Sequence, residues 1–538
     1  MKRATIALGL GALGIALGWW IARGGLDEWG GARARALVAL AALGWAFFVR
    51  NRRREGRPVP IAFAHGIAGA IALSAAAAWF NFGAVGGTGG VHRHDVFHYY
   101  VGSKYHRELG YGLIYRCTAL AEAESGGEAL VRQRMFRDLV TDRLVAASEA
   151  LRDPERCHSR FSPTRWRAFR TDVHNLRTGL NEPAWRQSQI DHGYNPTPAW
   201  TVTSGALSRI VPSTEFGLRF LASLDQILLA LAIAALAASF GWRVAALALV
   251  LWGTQEPGKF SWVAFSMLRF DWLFLLVLSL VGLRRGRPAL AGAALGWAAA
   301  MRGFPALGLV GVMLAGVASP ALRVRFAADR RRFLAGFVGA VGVLVVLGAA
   351  VVGPSSWQEW TQHIRRHAAV ASSNKAGLGI LVSFDPEHRV ERVQARLPGA
   401  SAEVWMQHWT DEVRATREAR LPWLRGLQLA FAALFLVALG RARRPWIGLT
   451  LALLAAPIAT ELSGYYLMLF IVAAVLAAAR LRLERWLLGF AFGVQALMVM
   501  PAVGWFYDDR YLAISLAYVL ASVGLTAVFA RRRPRADA

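Results

Sequence analysis

A chain of 538 residues that is 55% apolar and only 18% charged, with a mean hydropathy of +0.37, carries more hydrophobic sequence than one soluble core can use. The excess lies in runs near membrane-spanning length, which excludes a soluble globular class and indicates an all-α, polytopic transmembrane bundle. The formal net charge of +27 would suit a nucleic-acid binder, but the arginines sit in short clusters between apolar runs rather than among stacking aromatics, so no nucleic acid is expected as a partner.

In chain order, the run 4–22 follows the opening MKR, closes on Trp19 and Trp20 and lacks a small-residue cleavage site, so it reads as a retained first span. Further runs fall near 35–49, 60–82, 219–240, 244–257, 263–283, 288–318, 333–353, 421–440, 445–460, 464–480, 486–503 and 511–530. Between them lie the basic clusters RNRRREGR at 50, RRGR at 284, RVRFAADRRR at 323, RARR at 441, RLRLER at 480 and RRRPR at 531. The excess of Lys and Arg in cytoplasmic loops would put all of these inside. That holds from a cytoplasmic start only if 288–318 crosses twice, as two short helices broken within AAMRGFPA by Gly303 and Pro305. The expected count is about 13–14 spans with both termini inside. The short run 244–257 is the point on which this topology turns. Residues 83–218, Arg302, residues 354–420 and GWFYDDR then lie outside, and the setting is expected to be a bacterial inner membrane with the working face extracytoplasmic. Three units are expected: a hairpin over 1–57, a membrane module over 58–353 that includes the outer loop 83–218, and residues 354–538 with the second outer loop 354–420.

Within the first outer loop, apolar residues at three-to-four spacing predict an interfacial helix over 128–151. The only cysteines, Cys117 and Cys157, share this loop. Outside the cytoplasm a disulfide and two unpaired thiols are equally open readings. The loop returns to the membrane through DHGYNPTPAW, in which Tyr194 and two prolines form a rigid aromatic corner.

The chemistry-bearing candidates cluster at "VHRHDVFHYY". Asp95 opens a helix expected to run through Tyr111, with His98 and Tyr99 on its face at three and four residues. A carboxylate among bulky aromatics suits a general base; the alternative is an N-cap Asp with interfacial aromatics. Arg302, set between apolar half-helices, is costly without an anionic partner and would suit a lipid-linked phosphate, or else it snorkels. Lys259 and Lys375 are further outer cations. His94, Tyr194, Glu461 and Tyr465 complete the expected binding set, with Glu461 lining the same cavity as Asp95. Asp225 and Asp271 lie near spans, and Arg269 is expected to neutralise Asp271. His92 and His94 with Asp95 are the nearest approach to a metal-ligand set, but no HExxH or Cys/His pattern occurs, so no metal or other cofactor is indicated.

HDVFHYY in the first outer loop, YNPTPAW at its return, RGFP at the helix break and GYYLMLF at a late span together resemble the integral-membrane glycosyltransferases of the C fold. Within these the chain is most similar to the polyprenyl-phosphate-dependent mannosyltransferase-like group, glycosyltransferase family 87, over about residues 60–480. The resemblance implies an inverting hexosyltransferase, with mannose the family's association. It would take a sugar from a polyprenyl-phosphate donor and pass it to a hydroxyl of a glycan, lipid or protein acceptor. Asp95 would be the base, and Arg302, with Lys259 or Lys375, would steady the leaving phosphate. The chain departs from compact members in its two leading spans and its long first outer loop. The competing classes are a secondary transporter, which would line a midplane cavity with Asp225 and Asp271, another outer-leaflet transferase such as a polymer ligase, and a non-catalytic scaffold.

Overall fold

The computed structural model describes residues 28–83, 90–369, 374–500 and 507–531. The first expected span, 4–22, lies outside the described residues. Numbering only the elements used below, the chain forms α1 (Glu28–Arg54), α2 (Ile61–Trp79), α3 (Arg93–Lys104), α4 (Ile114–Glu122), β1 (Met135–Asp138), β2 (Arg143–Ala146), α5 (Pro163–Arg177), α6 (Glu182–Gln189) and α7 (Pro198–Ile210). It continues through α8 (Glu215–Phe240), α9 (Trp242–Gly253), α10 (Asp271–Arg284), α11 (Pro288–Arg302), α12 (Leu307–Ala318), α13 (Ala327–Val351) and α14 (Ser356–Ala369). The remaining elements are β3 (Lys375–Ala376), α15 (Ala402–Ala419), α16 (Leu421–Gly440), α17 (Pro445–Leu454), β4 (Leu462–Ser463), α18 (Arg482–Val499) and α19 (Tyr507–Ala530), with a 3-10 helix over Gly464–Val475. The protein is thus an all-α polytopic bundle, with only two small two-stranded sheets among the described residues.

Among the described residues, six helices are long and apolar enough to cross a membrane by themselves: those containing residues 30–54, 61–79, 215–240, 327–351, 421–440 and 508–530. Between them run shorter apolar helices such as α9, α12 and α17. Small residues let these elements pack closely. A Cβ on Gly292 or Gly296 of α11 would lie 1.9 Å or 2.5 Å from the backbone oxygens of Phe333 and Phe337 on α13, so glycine at these two positions permits backbone-to-backbone packing.

The basic clusters gather at one end of the bundle. Arg284 and Arg285 at the end of α10 donate to Ser239 and Ala238 at the end of α8, Phe240 packs on Trp446, and Ser319 donates to Ala442. Arg480 donates to Val528, and Arg243 pairs with Glu484. From this end α9 runs to the loop holding Gln255 and Lys259, and α10 returns. α11 likewise ends at Arg302, where Gly303 at φ +71° turns the chain through a 3-10 step into α12. The break expected within 288–318 is present, as two helices that meet at Gly303–Pro305.

Residues 90–218, the first long loop, form a packed layer. Its helices begin on side-chain caps followed by proline: Ser162 for α5, Asn181 for α6 and Thr197 for α7. Cys117 and Cys157 form a disulfide, closing α4 against the segment that leads to α5. The expected helix over 128–151 is corrected. Helix persists over Glu128–Arg132 and returns only at Ser148–Arg152; between them β1 and β2 pair as an antiparallel hairpin, Met135 opposite Ala146. Asp138 accepts the backbone N–H of Val140, and Asp142 adopts φ +58°, so two aspartates build a tight turn where helical periodicity predicts continuity. The helix opened at Asp95 also ends sooner than expected, at Lys104 rather than Tyr111.

Candidate active site

The chain reaches Asp95 through His92, the N-cap of α3, whose Nδ1 accepts the Asp95 backbone N–H. Val96, Phe97, Tyr100 and Val101 are buried on the remaining faces of α3, which fixes the side on which Asp95 and Tyr99 emerge. Gly102, on the same helix, is required by its neighbour: a Cβ there would lie 2.3 Å from the Tyr194 ring.

The partner of Asp95 comes from a distant loop. Arg269 Nη1 donates to Asp95 Oδ2 at 2.6 Å and to the Tyr99 hydroxyl at 3.0 Å, and Ser266 donates to the same Oδ2 at 2.7 Å. Both donors converge on Oδ2; among the described residues Oδ1 accepts no hydrogen bond, and the side chain is 14% exposed. Burial favours the protonated acid, but the charge of Arg269, then His92 and His94, and the Ser266 hydrogen bond outweigh it and hold the Asp95 carboxyl at about 2. The same surroundings push the Tyr99 phenol up to about 12, burial being the main cause.

The loop carrying Arg269 is strained and pinned. Phe265 and Leu268 have φ values of +58° and +48°, a region costly for such side chains. His92 N–H donates to the Phe265 carbonyl, Trp200 Nε1 to the Leu268 carbonyl and Trp272 Nε1 to the Arg269 carbonyl. Asp225 accepts the backbone N–H of Arg269 on one oxygen and that of Phe270 on the other, at 2.8 and 2.9 Å. Asp225 is therefore a fully engaged structural acid. The expected local pairing of Arg269 with Asp271 is corrected: Arg269 turns to Asp95, 174 positions away, and the Coulombic pull on Asp271 comes from Arg302.

Arg302 reaches the same cluster from α11. Its guanidinium lies 5.6 Å from the Trp200 ring, Trp200 packs 5.1 Å from Tyr99, and its Nε is buried without a hydrogen-bond partner. Arg269 stacks 4.1 Å over Tyr465, and Tyr465, Tyr466, Phe304 and Trp272 continue the wall. Asp95 and Arg302 thus converge through Tyr99, Trp200 and Arg269 at the end opposite the basic clusters. The YNPTPAW corner gains a structural meaning here. Thr197 caps α7 and donates to the Ala300 carbonyl near Arg302, while Trp200 packs against both Arg302 and Tyr99.

The other expected residues divide. His94 borders the cluster, with its Nε2 3.1 Å from Asp191; burial alone would disfavour its charged form, but the hydrogen bond and charge of Asp191 raise its pKa. His98 is buried, its Nδ1 bonded to the His94 carbonyl and its Nε2 to Tyr115, and burial lowers its pKa to about 4. His94, His98 and Asp191 have the proximity of a metal-ligand set, but both His98 nitrogens are already engaged. Tyr194 packs behind the site with its hydroxyl on Thr201. Lys259 pairs with Glu256, which also holds Arg35. Lys375 and Glu461 line a separate cavity of about 400 Å³ with Arg417, and Glu461 pairs with Arg417; Asp95 does not line it. Sequence reasoning missed Arg269 as the partner of Asp95, Ser266 and Asp191. The one available signal was an Arg in MLRFDW, just before an apolar run.

An all-α bundle that spans a membrane and sets Asp95 beside fixed cations at one end defines an integral-membrane protein with an enzyme-like polar site. Residues 193–395 match the family model of glycosyltransferase family 87, which supports a membrane glycosyltransferase. The matched stretch includes Tyr194, Trp200, Asp225, Arg269 and Arg302; Asp95 and Tyr465 lie outside it. No curated protein and no solved structure matches the chain.

Proposed function

We propose that the protein transfers a hexose from a polyprenyl-phosphate donor to an acceptor hydroxyl at the extracytoplasmic face of a bacterial inner membrane, with inversion. The observation that carries this reading is the convergence of Asp95, Arg269 and Arg302 around Tyr99 and Trp200. Asp95 Oδ1 takes the acceptor proton as the acceptor oxygen bonds to the anomeric carbon. The bond from that carbon to the donor phosphate breaks, and the phosphate leaves with the electron pair. Arg302 steadies it, with its buried Nε the donor in search of an acceptor.

The low pKa of Asp95 at first argues against a base. It is set largely by Arg269, however, and an anionic donor drawn to the same guanidinium would loosen its grip on Asp95 and restore basicity where the donor is bound. Lys259, Lys375 and Glu461, engaged elsewhere, take no part in this proposal for the phosphate.

The test is turnover by the purified protein on a panel of polyprenyl-phosphate sugars. Asp95→Asn keeps an acceptor for Ser266 and should lower kcat by about 10²–10⁴, with unchanged thermal unfolding. Wild-type turnover by this variant would remove Asp95 from the mechanism. Arg302→Gln should raise the donor KM more than the acceptor KM.

A further inference from the structure

A cavity of about 820 Å³ lies between α1, α2, α9 and α18, with Asp95 not in its lining. Its walls are apolar and kept open by small residues: Ala46, Ala64 and Ala68 face Leu247, Val250 and Leu488. Its mouth is at the basic end of the bundle, where five arginines line it, Arg50 and Arg53 from α1, Arg243 from α9, and Arg482 and Arg485 from α18. The only carboxylate in the lining, Glu484, is paired with Arg243 at 2.9 Å. Arg485 lies against the Phe47 ring, and Arg50 feels the like charges of Arg485 and Arg54. Trp242 packs on His65 at 4.1 Å beside the mouth, where an amphipathic ring suits a membrane-water boundary.

Two clusters more than 400 positions apart in the chain, at 50 and 480, are thus held together at the rim of an apolar slot. Like charges so arranged repel unless an anion joins them. A soluble anion accounts for the rim but not for the slot, and an apolar chain accounts for the slot but not for the rim. We infer that this groove binds an anionic glycerophospholipid, with the phosphate among Arg50, Arg53 and Arg485 and an acyl chain between α2 and α9. The inference stands independently of the sugar-transfer reading.

The experiment is native mass spectrometry of the full-length, delipidated protein titrated with dioleoyl phosphatidylglycerol, dioleoyl phosphatidylcholine or inorganic phosphate. Phosphatidylglycerol should bind in preference to phosphatidylcholine, and inorganic phosphate should not displace it. The double variant Arg50→Gln/Arg485→Gln should weaken phosphatidylglycerol binding about 10–30-fold, on the basis of about 1 kcal/mol for each arginine near an anionic lipid surface. Arg323→Gln/Arg325→Gln, exposed on another linker, should leave it unchanged. Ala64→Trp, which fills the slot without touching the rim, should also abolish retention and serves should the charge variant fail to fold. Equal binding by Arg50→Gln/Arg485→Gln and wild type would overturn the inference. So would displacement by inorganic phosphate alone, or uptake of lipid only after residues 2–27 are removed, which would make the protein's own first run the occupant.

Discussion

At the Asp95 end, charges are paired over long stretches of sequence: Asp95 with Arg269, Lys104 with Asp172, Arg93 with Glu215 and Arg35 with Glu256. At the opposite end arginines face arginines around an open groove, and a single acid is present in its lining. The first arrangement fixes geometry, since buried members such as Arg269, Arg35 and Glu256 would be costly to leave alone. The second leaves electrostatic attraction unspent, as suits a surface that meets something negative. One protein therefore uses the same residue type as an internal brace at one end and as an external contact at the other.

This contrast can be broken at several points. The largest effect is expected at Arg269. Arg269→Gln leaves Asp95 without its cation, so its carboxyl titrates above the present value of about 2, and turnover should fall by about 10² or more as the site loses its organiser; steady-state kinetics alongside thermal unfolding separate the two consequences. Next, Cys117→Ser/Cys157→Ser opens a link spanning 40 positions and should cost about 2–4 kcal/mol in the outer layer, read as faster hydrogen exchange over α4 and α5 with the spanning helices unaffected. Gly102→Ala drives a methyl into the Tyr194 ring and should cost about 1–3 kcal/mol, visible as a lower Tm.

The smallest effect is a pH dependence. His94 has its pKa raised by Asp191, so the pair's contribution is full below the ordinary histidine value and is lost as pH rises through the raised one. Asp95 behaves in the opposite sense: its contribution is present above the ordinary carboxylate value of 3.8 and is lost as pH falls toward about 2. Thermal unfolding of wild type and His94→Gln across pH 5–9 should differ at the acidic side and converge at the alkaline side.

Much of this was legible in the sequence because it depends on composition along the chain. Runs of apolar residues mark the spans, basic clusters mark one end, and Gly303–Pro305 marks the break that brings Arg302 to the other. Asp95 stood out as the acid in a stretch of aromatics and histidines. What could not be read was pairing. Arg269 sits two residues from Asp271, and proximity in sequence suggested the wrong partner; the left-handed turn at Phe265 and Leu268 and the two backbone bonds to Asp225 send its side chain to Asp95. The hairpin at 135–146 was hidden because four-residue strands carry too few alternations to compete with a three-to-four pattern that extends over their flanks. Lys259, Lys375 and Glu461 were correctly noted as charged positions, but nothing in a linear pattern indicates that Glu256 and Arg417 take up two of them.

The tether of Arg269 to Asp225 has a further consequence. Because Asp225 belongs to a long apolar helix while His92, Trp200 and Asp95 belong to the layer packed against it, Arg269 is clamped from both sides. Movement of that layer relative to the helix would therefore be felt first at this guanidinium. Under the proposed function, such movement would couple the space left for an acceptor to the charge that Asp95 feels.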